Sequence, residues 1–279
     1  MDRLTPGIPE AVSQVGAESP SFLDAADAIM TTDRFRKISS RSFTCDGANL
    51  CIAGMAKGAG MIGPNLATML AILVTDCYLS PRDADRALRS AATASFNCIS
   101  VEGHTSTNDA VLLLSSSQGT PLREPQQLLE FEANLTETCI DLAKQIPADG
   151  EGATHVIEIR VEGATENADA DRIARTIAQS ALVKTAFTGA DPNWGRIVSA
   201  AGYAGVAFDL SECSLTLNGH TVFRAGQPTP FDASVVSKDL RQNRDAQVVL
   251  SVGQGTGQAT HWTSDLTIDY VRLNSEYTT

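Results

Sequence analysis

Apolar and polar positions along the chain follow two periods, one typical of strands and one typical of helices. Residues 156–161 read V-I-E-I-R-V, and this strict alternation predicts a half-buried strand. Residues 68–78 carry a single charge, at Asp76. Periodicity alone cannot separate a buried strand from a buried helix there, but Val74 and the short length favour a strand. Spacing of three and four residues between apolar positions predicts helices elsewhere.

The predicted strands and helices interleave along the whole chain. Helices are predicted over residues 21–31, 81–93, 126–145, 168–182 and 193–201. Single strands are predicted over 98–101, 110–114, 155–161 and 265–273, hairpins over 36–54 and 214–223, and surface loops over 118–125 and 148–152. This order predicts a mixed α/β chain without internal repeats.

Short local signals fix several of these boundaries. Asp46-Gly47 and Asn218-Gly219 are the residue pairs that tight primed turns favour, so each is placed at the tip of a hairpin. Ser80 followed by Pro81 and Asp83 is a good helix start, with a capping hydroxyl, proline at the first position and an acid in the first turn.

Composition narrows the class of protein. The chain has 279 residues, of which 43% are hydrophobic and 19% charged, which is typical of a globular protein. A formal net charge of -12 argues against a nucleic-acid partner, because such binding depends on basic patches. No apolar run reaches the roughly 18 residues that a membrane helix needs, and the first residues do not resemble a secretion signal. A cytoplasmic protein is expected.

The metal-binding and redox residue types show no local pattern. The six cysteines lack CxxC spacing, and the four histidines stand far apart, so no metal site is predicted. Cys45 and Cys51 flank a predicted turn and are near enough in sequence to bridge, but free thiols are the expectation for a cytosolic chain.

The segment KGAGMIGPNLATM, residues 57–69, carries the most specific chemistry. Its glycine-rich part matches GxGxxG, but Pro64 follows at once where a dinucleotide site needs a helix. Thr68, at the end of this loop and the start of an apolar element, suits another role. Its hydroxyl can attack the carbonyl of Ala67, cut the chain and leave a nucleophile with its own α-amine as base.

Two neighbouring features have open interpretations. Lys57 is either a solvated surface lysine or a cation that holds a substrate carboxylate. TSTND at 105–109 is either a turn, since each residue hydrogen-bonds backbone well, or a polar cluster that shapes a site.

Six segments together resemble the ornithine acetyltransferase family, the glutamate N-acetyltransferases of arginine biosynthesis. They are MTTD at 30–33, GMAKGAGMIGPNLATML at 54–70, TSTND at 105–109, DGEGAT at 149–154, LVKTAFTGADPNWGR at 182–196 and LNSEYTT at 273–279. They follow the family's order over nearly the whole chain.

The resemblance implies an α/β fold with layered mixed sheets, whose precursor cuts itself before a threonine. Here the cut falls between Ala67 and Thr68 and leaves pieces 1–67 and 68–279, of 67 and 212 residues. It also implies ping-pong transfer of an acetyl group from N2-acetylornithine to glutamate through an acetyl-Thr68 ester, without metal or redox cofactor. Acetyl-CoA is a further donor in some members, and two cut copies associate as a heterotetramer of two α and two β chains.

The family's substrate-binding positions correspond to six residues of this chain. They are Thr31, Lys57, Thr68, Glu151, Asn274 and Thr279. Lys57 and the hydroxyls suit the carboxylate of an amino acid, and Glu151 suits its ammonium. Because the last two positions lie near the C-terminus, the resemblance predicts an ordered tail.

The chain also departs from the family. Members have over a hundred residues before the position of Met1, including a Thr-Gly pair that forms the oxyanion hole. His104 and His155 stand where Asp and Lys are expected, the second as an expected surface change. Two alternatives therefore stand beside the transferase: a self-cleaving aminopeptidase or amidase, and a truncated non-catalytic paralogue.

Overall fold

The computed structural model describes residues 4–13, 15–16, 19–60, 69–104 and 108–276. Its helices are α1 Leu4–Ser13, α2 Ser19–Ala28, α3 Pro81–Thr93, α4 Pro125–Ala148, α5 Asn167–Gln179, α6 Ala181–Thr188, α7 Trp194–Gly202, α8 Ala233–Gln242 and α9 Ile268–Glu276. Its strands are β1 Lys37–Cys45, β2 Ala48–Lys57, β3 Leu70–Tyr78, β4 Ile99–Ser100, β5 Ala110–Pro121, β6 Val156–Ala164, β7 Ser214–Leu217, β8 His220–Arg224, β9 Gln227–Pro228, β10 Asp245–Ser251 and β11 Gly257–Ser264.

The first sheet has the strand order β1-β2-β3-β5. The β1–β2 hairpin turns at Asp46 and Gly47, whose φ angles of 48° and 78° are those of a primed turn. β3 runs antiparallel to β2 and parallel to β5. Because parallel strands start at the same edge, the residues just before β3 and just before β5 lie side by side.

The second sheet has the order β4-β11-β6-β10-β7-β8-β9 and is also mixed. β6 pairs in parallel with β10 and antiparallel with β11. β7 and β8 form the predicted hairpin, with Asn218 and Gly219 at positive φ in its turn.

Two hydrophobic cores correspond to the two sheets. The first lies between the first sheet and helices α3 and α4, with Leu73, Phe131 and Leu142 fully buried. The second lies between the second sheet and helices α5 to α8, around Ile157, Ile173 and Val248. Each large apolar side chain that these cores remove from water contributes about 1.5–3 kcal/mol before the entropy cost of folding. The mixed, layered α/β fold expected from the sequence is confirmed.

Most predicted elements are present with shifted ends. The helix expected over 168–182 is two helices, because Ser180 leaves helical geometry and its hydroxyl accepts the Val183 amide to cap α6. The loop expected over 118–125 is partly strand, since β5 continues to Pro121. Helices α1 and α8 and strands β9, β10 and β11 had not been predicted.

The prediction of a strand over residues 265–273 is wrong. Residues 268–276 form helix α9, and the Thr267 hydroxyl accepts the Tyr270 amide at its start. The alternating apolar residues do not line a buried face: Ile268, Val271 and Leu273 are 87%, 59% and 45% exposed. The Thr267 hydroxyl caps the first turn of this helix, a local signal that the alternating pattern did not reveal.

Two smaller expectations can be compared with the structure. All six cysteines, including Cys45 and Cys51, are free thiols. His155 was expected at the surface, but it is buried, and its Nδ1 lies 3.1 Å from Asp265 Oδ2. Within the described ranges, no helix is both long and apolar enough to cross a membrane.

Candidate active site

Four of the six residues singled out from the sequence belong to the described part of the chain. Thr31, Lys57, Glu151 and Asn274 are described, whereas Ala67, Thr68 and Thr279 lie outside the described residues. The site is therefore built from the segments that lead up to and away from the Ala67–Thr68 bond.

Strands β2 and β3 hold the two ends of the glycine-rich loop together. Lys57, the last residue of β2, pairs directly with Leu70, the first residue of β3. Leu70 pairs on its other side with Ala110, the first residue of β5. Lys57 and Asp109 thus come to the same edge of the sheet, on either side of the chain that continues from Thr68.

Asp109 fixes the residue that follows Thr68. Its Oδ1 accepts a hydrogen bond from the Met69 amide at 2.6 Å, and the Ala110 amide donates to the Met69 carbonyl at 3.1 Å. Burial raises the pKa of Asp109, and the Met69 amide and the Lys57 cation offset only part of this. The carboxylate of the TSTND motif therefore holds the backbone of the residue that follows Thr68.

Asp33 links the start of the loop to Thr31. Its Oδ1 accepts the Gly58 amide at 2.7 Å, and its Oδ2 accepts the Thr31 amide at 3.1 Å. Burial raises the pKa of Asp33, but the hydrogen bonds from Gly58, Lys37 and Thr31 outweigh it, and the pKa lies below its usual value. The carboxylate stays ionised and holds two backbone segments together.

A buried ion network lies beneath these segments. Lys37 is fully buried, and its Nζ contacts Asp33 Oδ1 at 2.6 Å and Asp149 Oδ2 at 2.7 Å. Asp149 also accepts the amide and the Nε of Arg34, at 2.9 and 3.0 Å. The network joins the MTTD segment to the DGEGAT turn, which carries Glu151.

Glu151 faces the loop from the other side. A Cβ placed on Gly60 would lie 3.0 Å from Glu151 Oε1, so the carboxylate sits against the loop backbone. Asn274 on α9 donates its side-chain amide to Glu151 Oε2 at 2.7 Å. Burial and the charges of Glu102 and Glu151 raise the pKa of the Tyr270 hydroxyl.

The four described site residues are thus connected through the first turn of the loop. Gly58 follows Lys57 and contacts the aspartate that holds Thr31, and Gly60 contacts the glutamate that Asn274 orients. The arrangement offers a cation, an anion and an amide around the segment that leads to Thr68. These groups suit an amino acid, which carries an ammonium and a carboxylate.

Sequence reasoning missed Asp33, Lys37, Asp149 and Lys184 as members of the site. Asp33, Asp149 and Lys184 lie inside the segments that carry the family resemblance, which was the available signal, whereas Lys37 lies outside them. Lys184 is 4% exposed and donates to the Val101 carbonyl, and burial lowers its pKa to about 8. It steadies the strand end that leads into residues 102–109.

A second cluster of polar groups lies elsewhere, at the junction of α5 and β11. Ligand atoms of Cys98, Asp171 and His261 lie within 4.8 Å of one another. His261 Nε2 is 2.8 Å from Asp171 Oδ1, while the Arg175 guanidinium pairs with the other oxygen at 3.1 Å. A cation at this position would compete with the arginine, so the group is a hydrogen-bonded ion cluster.

Two cavities formed by described residues lie away from these contacts. The larger of them, about 750 Å³, is lined by Cys98, Asp171 and Trp262, and one of about 370 Å³ lies beside Lys144 and Trp262. The candidate site rests on converging polar contacts, which carry more chemical information than an open surface hollow.

Comparison with known proteins places the whole chain in one family. The sequence profile described as the ArgJ family matches residues 1–279. A protein of Rhodopirellula baltica named arginine biosynthesis bifunctional protein ArgJ is 46% identical over 283 residues, which cover 100% of this chain and 69% of that protein. A protein of the same name from Synechococcus sp. is 44% identical over 290 residues, again covering 100% and 69%.

A solved structure agrees with the fold. The crystal structure of arginine biosynthesis bifunctional protein argJ from Bacillus halodurans superposes with a TM-score of 0.69 at 36% identity. The match covers 72% of this chain and 96% of the solved chain.

Proposed function

The chain belongs to the ArgJ family, and on that premise we propose that it moves an acetyl group from N2-acetyl-L-ornithine to L-glutamate. It is an acyltransferase of arginine biosynthesis that acts on small molecules. The observation that carries the proposal is the convergence of Lys57, Glu151 and Asn274 on the loop that leads to Thr68. The chain spans about 69% of the length of the ArgJ proteins it matches.

The first step is self-cleavage at Ala67–Thr68. The Thr68 hydroxyl oxygen attacks the Ala67 carbonyl carbon, the peptide C–N bond breaks, and water hydrolyses the resulting ester. The new α-amine has a reference pKa of about 7.7–8.0, so a useful fraction is neutral near pH 7–8 and can accept the hydroxyl proton.

Lengths support this position of the cut. The structural match covers 72% of the 279 residues of this chain, which is about 201 residues. Because the match also covers 96% of the solved chain, that chain has about 209 residues. A cut before Thr68 leaves a piece of 212 residues here, close to that value.

Acetyl transfer then proceeds in two halves. The Thr68 oxygen attacks the acetyl carbonyl carbon of N2-acetylornithine, the amide C–N bond breaks, and the proton held by the α-amine passes to the departing amine of ornithine. The amine of glutamate next attacks the acetyl ester, the C–O bond breaks, and the proton returns to Thr68. No redox cofactor or metal takes part in this sequence.

Side chains around the loop would position both substrates. Lys57 binds the substrate carboxylate, Glu151 binds its ammonium, and Asn274 orients Glu151. Thr31 and Thr279 complete the set of substrate-binding residues.

Three further properties belong to the proposal. Acetyl-CoA serves as a second acetyl donor, and the enzyme acts in the cytoplasm. Two cut copies associate as a heterotetramer of two α and two β chains.

Intact mass followed by an acetyl-transfer assay tests the proposal. We expect two species of about 7 and about 22 kDa, scaled by length from 29.5 kDa. The cut protein should form N-acetylglutamate from N2-acetylornithine and glutamate, and Thr68→Ala should neither cut nor transfer. Release of CoA thiol from acetyl-CoA in the presence of glutamate tests the second donor.

Other outcomes would support the alternatives. Release of amino acids from peptides without acetyl transfer would identify an aminopeptidase or amidase. A single uncut species without activity would identify a non-catalytic member of the family. Light scattering of the cut protein tests the heterotetramer separately.

A further inference from the structure

We propose that the buried network of Asp33, Lys37 and Asp149 determines the length of the diamino acid that the site accepts. The network fixes the separation between the segment that carries Lys57 and the turn that carries Glu151. The inference rests on the proposed function, in which these two residues bind the carboxylate and the ammonium of the substrate. It adds positioning residues that select the length of the substrate side chain.

The acetyl donor of the proposed reaction has one carboxylate and one ammonium. The α-nitrogen of N2-acetylornithine is acylated, so its ammonium stands at the end of the side chain. N2-acetyllysine has one methylene more, and N2-acetyl-2,4-diaminobutyrate has one fewer. Rigidly spaced charges distinguish these compounds, because a misplaced ammonium loses a hydrogen bond to a charged group, which weakens binding by about tenfold or more.

At the carboxylate end of the site, the network holds the backbone next to Lys57. The Gly58 amide, directly after the last residue of β2, donates to Asp33 Oδ1 at 2.7 Å. The Thr31 amide donates to the other oxygen at 3.1 Å. Both oxygens of this carboxylate thus bind backbone at or beside substrate-binding positions, so a shift of Asp33 moves both positions.

At the ammonium end of the site, Asp149 holds the turn that carries Glu151, two residues later. Asp149 Oδ2 accepts the Arg34 amide at 2.9 Å, and Oδ1 accepts Arg34 Nε at 3.0 Å. The Asn274 side chain donates to Glu151 Oε2 at 2.7 Å. The turn is therefore fixed before the glutamate, and the glutamate itself is oriented by a second contact.

Lys37 connects the two ends directly. Its Nζ lies 2.6 Å from Asp33 Oδ1 and 2.7 Å from Asp149 Oδ2, and the ring of Phe35 lies 4.9 Å from it. The side chains of Lys37 and Asp149 are 0% exposed and that of Asp33 is 1% exposed. A buried and hydrogen-bonded polar network is rigid, because water cannot replace a partner. Three short contacts thus set the separation between Gly58 and Asp149.

Stabilisation of the fold does not by itself explain this arrangement. A buried ion pair often stabilises a protein no more than apolar residues of the same volume. The pair of His261 and Asp171, between β11 and α5, makes its contact between two side chains, and His261 Nδ1 has no hydrogen-bond partner in the described part of the chain. The network of Asp33, Lys37 and Asp149 ends instead on backbone beside the substrate-binding residues, which indicates a positioning role.

Three variants test this role. Asp33→Asn keeps the size of the side chain and removes the charge that holds Lys37. Arg34→Ala loosens Asp149 from the surface, where the arginine is 55% exposed, and leaves the lysine in place, so its fold does not depend on tolerance of a buried change. Asp171→Asn is the matched control, because it alters a carboxylate that pairs with a buried histidine away from the site.

Isothermal titration calorimetry with N2-methylsulfonyl derivatives of 2,4-diaminobutyrate, ornithine and lysine measures the length preference. These probes carry the carboxylate and the side-chain ammonium but no transferable acyl group. We expect the unmodified chain and Asp171→Asn to bind the ornithine derivative about tenfold more tightly than the other two. Asp33→Asn should bring the three dissociation constants within about threefold of one another, and Arg34→Ala should narrow the preference by about threefold.

An unchanged length preference in both Asp33→Asn and Arg34→Ala would overturn the proposal, since the network would then only stabilise the fold. Urea unfolding shows whether Asp33→Asn is folded; where it is not, Arg34→Ala decides alone. Equal or absent binding of the three probes by the unmodified chain would also overturn it. Length-selective binding without acetyl transfer would refute the transferase and leave the selection of length standing.

Discussion

Asn274 contributes a single side-chain hydrogen bond to the candidate site, from its amide to Glu151 at 2.7 Å. Asn274 is exposed and does not belong to either hydrophobic core, so its replacement tests the candidate site while both cores stay intact. At this scale the function depends on how each charged group is oriented, because a misdirected carboxylate binds an ammonium poorly.

We expect Asn274→Ala to raise the KM for N2-acetylornithine about tenfold, since a hydrogen bond to a charged group contributes about 1.5–3 kcal/mol. Asn243→Ala is the matched control, because Asn243 makes the same type of bond to Asp239 at the surface. Steady-state kinetics on both variants checks the prediction. Equal KM values for Asn274→Ala and Asn243→Ala would show that Asn274 does not contribute to substrate binding.

His155 and Asp265 form a buried pair whose effect on stability depends on pH. The hydrogen bond to Asp265 raises the pKa of His155, outweighing burial, and its partners lower the pKa of Asp265 to about 2 against burial. A histidine with a raised folded-state pKa stabilises the fold fully below its unfolded pKa, and this contribution is lost as pH rises through the folded pKa.

His155→Gln should therefore reduce the free energy of unfolding more at pH 5.5 than at pH 9. Urea unfolding of both proteins at the two pH values checks the sign. The His220→Gln variant is a control, since His220 is only half-buried and its nearest carboxylate oxygen lies 4.0 Å away. A larger loss at pH 9 than at pH 5.5 would show that the pair does not stabilise the fold in this way.

At the scale of elements, α9 determines whether the C-terminal residues reach the site. It docks on the DGEGAT turn through Gly152, whose carbonyl accepts the Thr267 hydroxyl at 2.8 Å. Gly152 has a φ of +69°, and a Cβ there would lie 2.6 Å from the Tyr270 amide nitrogen. Glycine is required both for the backbone conformation and for the close approach of the helix.

Gly152→Ala should detach α9 and weaken substrate binding while the two cores stay folded. We expect faster hydrogen exchange across residues 268–276 and a KM raised about tenfold, as in Asn274→Ala. Gly219→Ala is the matched control: its φ is +82° but nothing lies within 4 Å of its Cβ position, so it adds strain without crowding. Unchanged exchange in α9 would contradict the docking role of Gly152.

At the scale of the whole molecule, the Lys37 network joins segments distant in sequence. It connects the residues before β1 with the end of α4 across more than a hundred positions, through Asp33 and Asp149. These segments also carry Thr31 and Glu151, so the stability of the network and the geometry of the site are coupled.

Lys37→Met should lower the free energy of unfolding by about 3–5 kcal/mol, because it leaves the buried Asp33 carboxylate without its cation and removes one of the two cations that pair with Asp149. Denaturant unfolding followed by circular dichroism measures this. Arg89→Met is the contrasting control, since its partner Asp85 is exposed and surface pairs contribute little. Similar decreases in the free energy of unfolding of the two variants would show that the buried network stabilises the fold no more than a surface ion pair does.

The sequence by itself determined the elements whose signals are local. Asp46-Gly47 and Asn218-Gly219 specified their turns, and Ser80 with Pro81 specified the start of α3, because these signals act through backbone geometry within a few residues. The family motifs named Lys57, Glu151 and Asn274 as site residues, a prediction that their convergence supports and that the proposed assays test.

Only the tertiary structure decided the features that depend on distant partners. The pattern of residues 265–273 suited a strand, but a strand forms only where a sheet edge can pair with it, and here Thr267 and the Gly152 turn made a helix. The buried positions of Lys37 and His155 likewise depend on Asp149 and Asp265, more than a hundred residues away. No local pattern reports such a partner, because burial of a charge becomes favourable only once the fold has supplied its counter-charge.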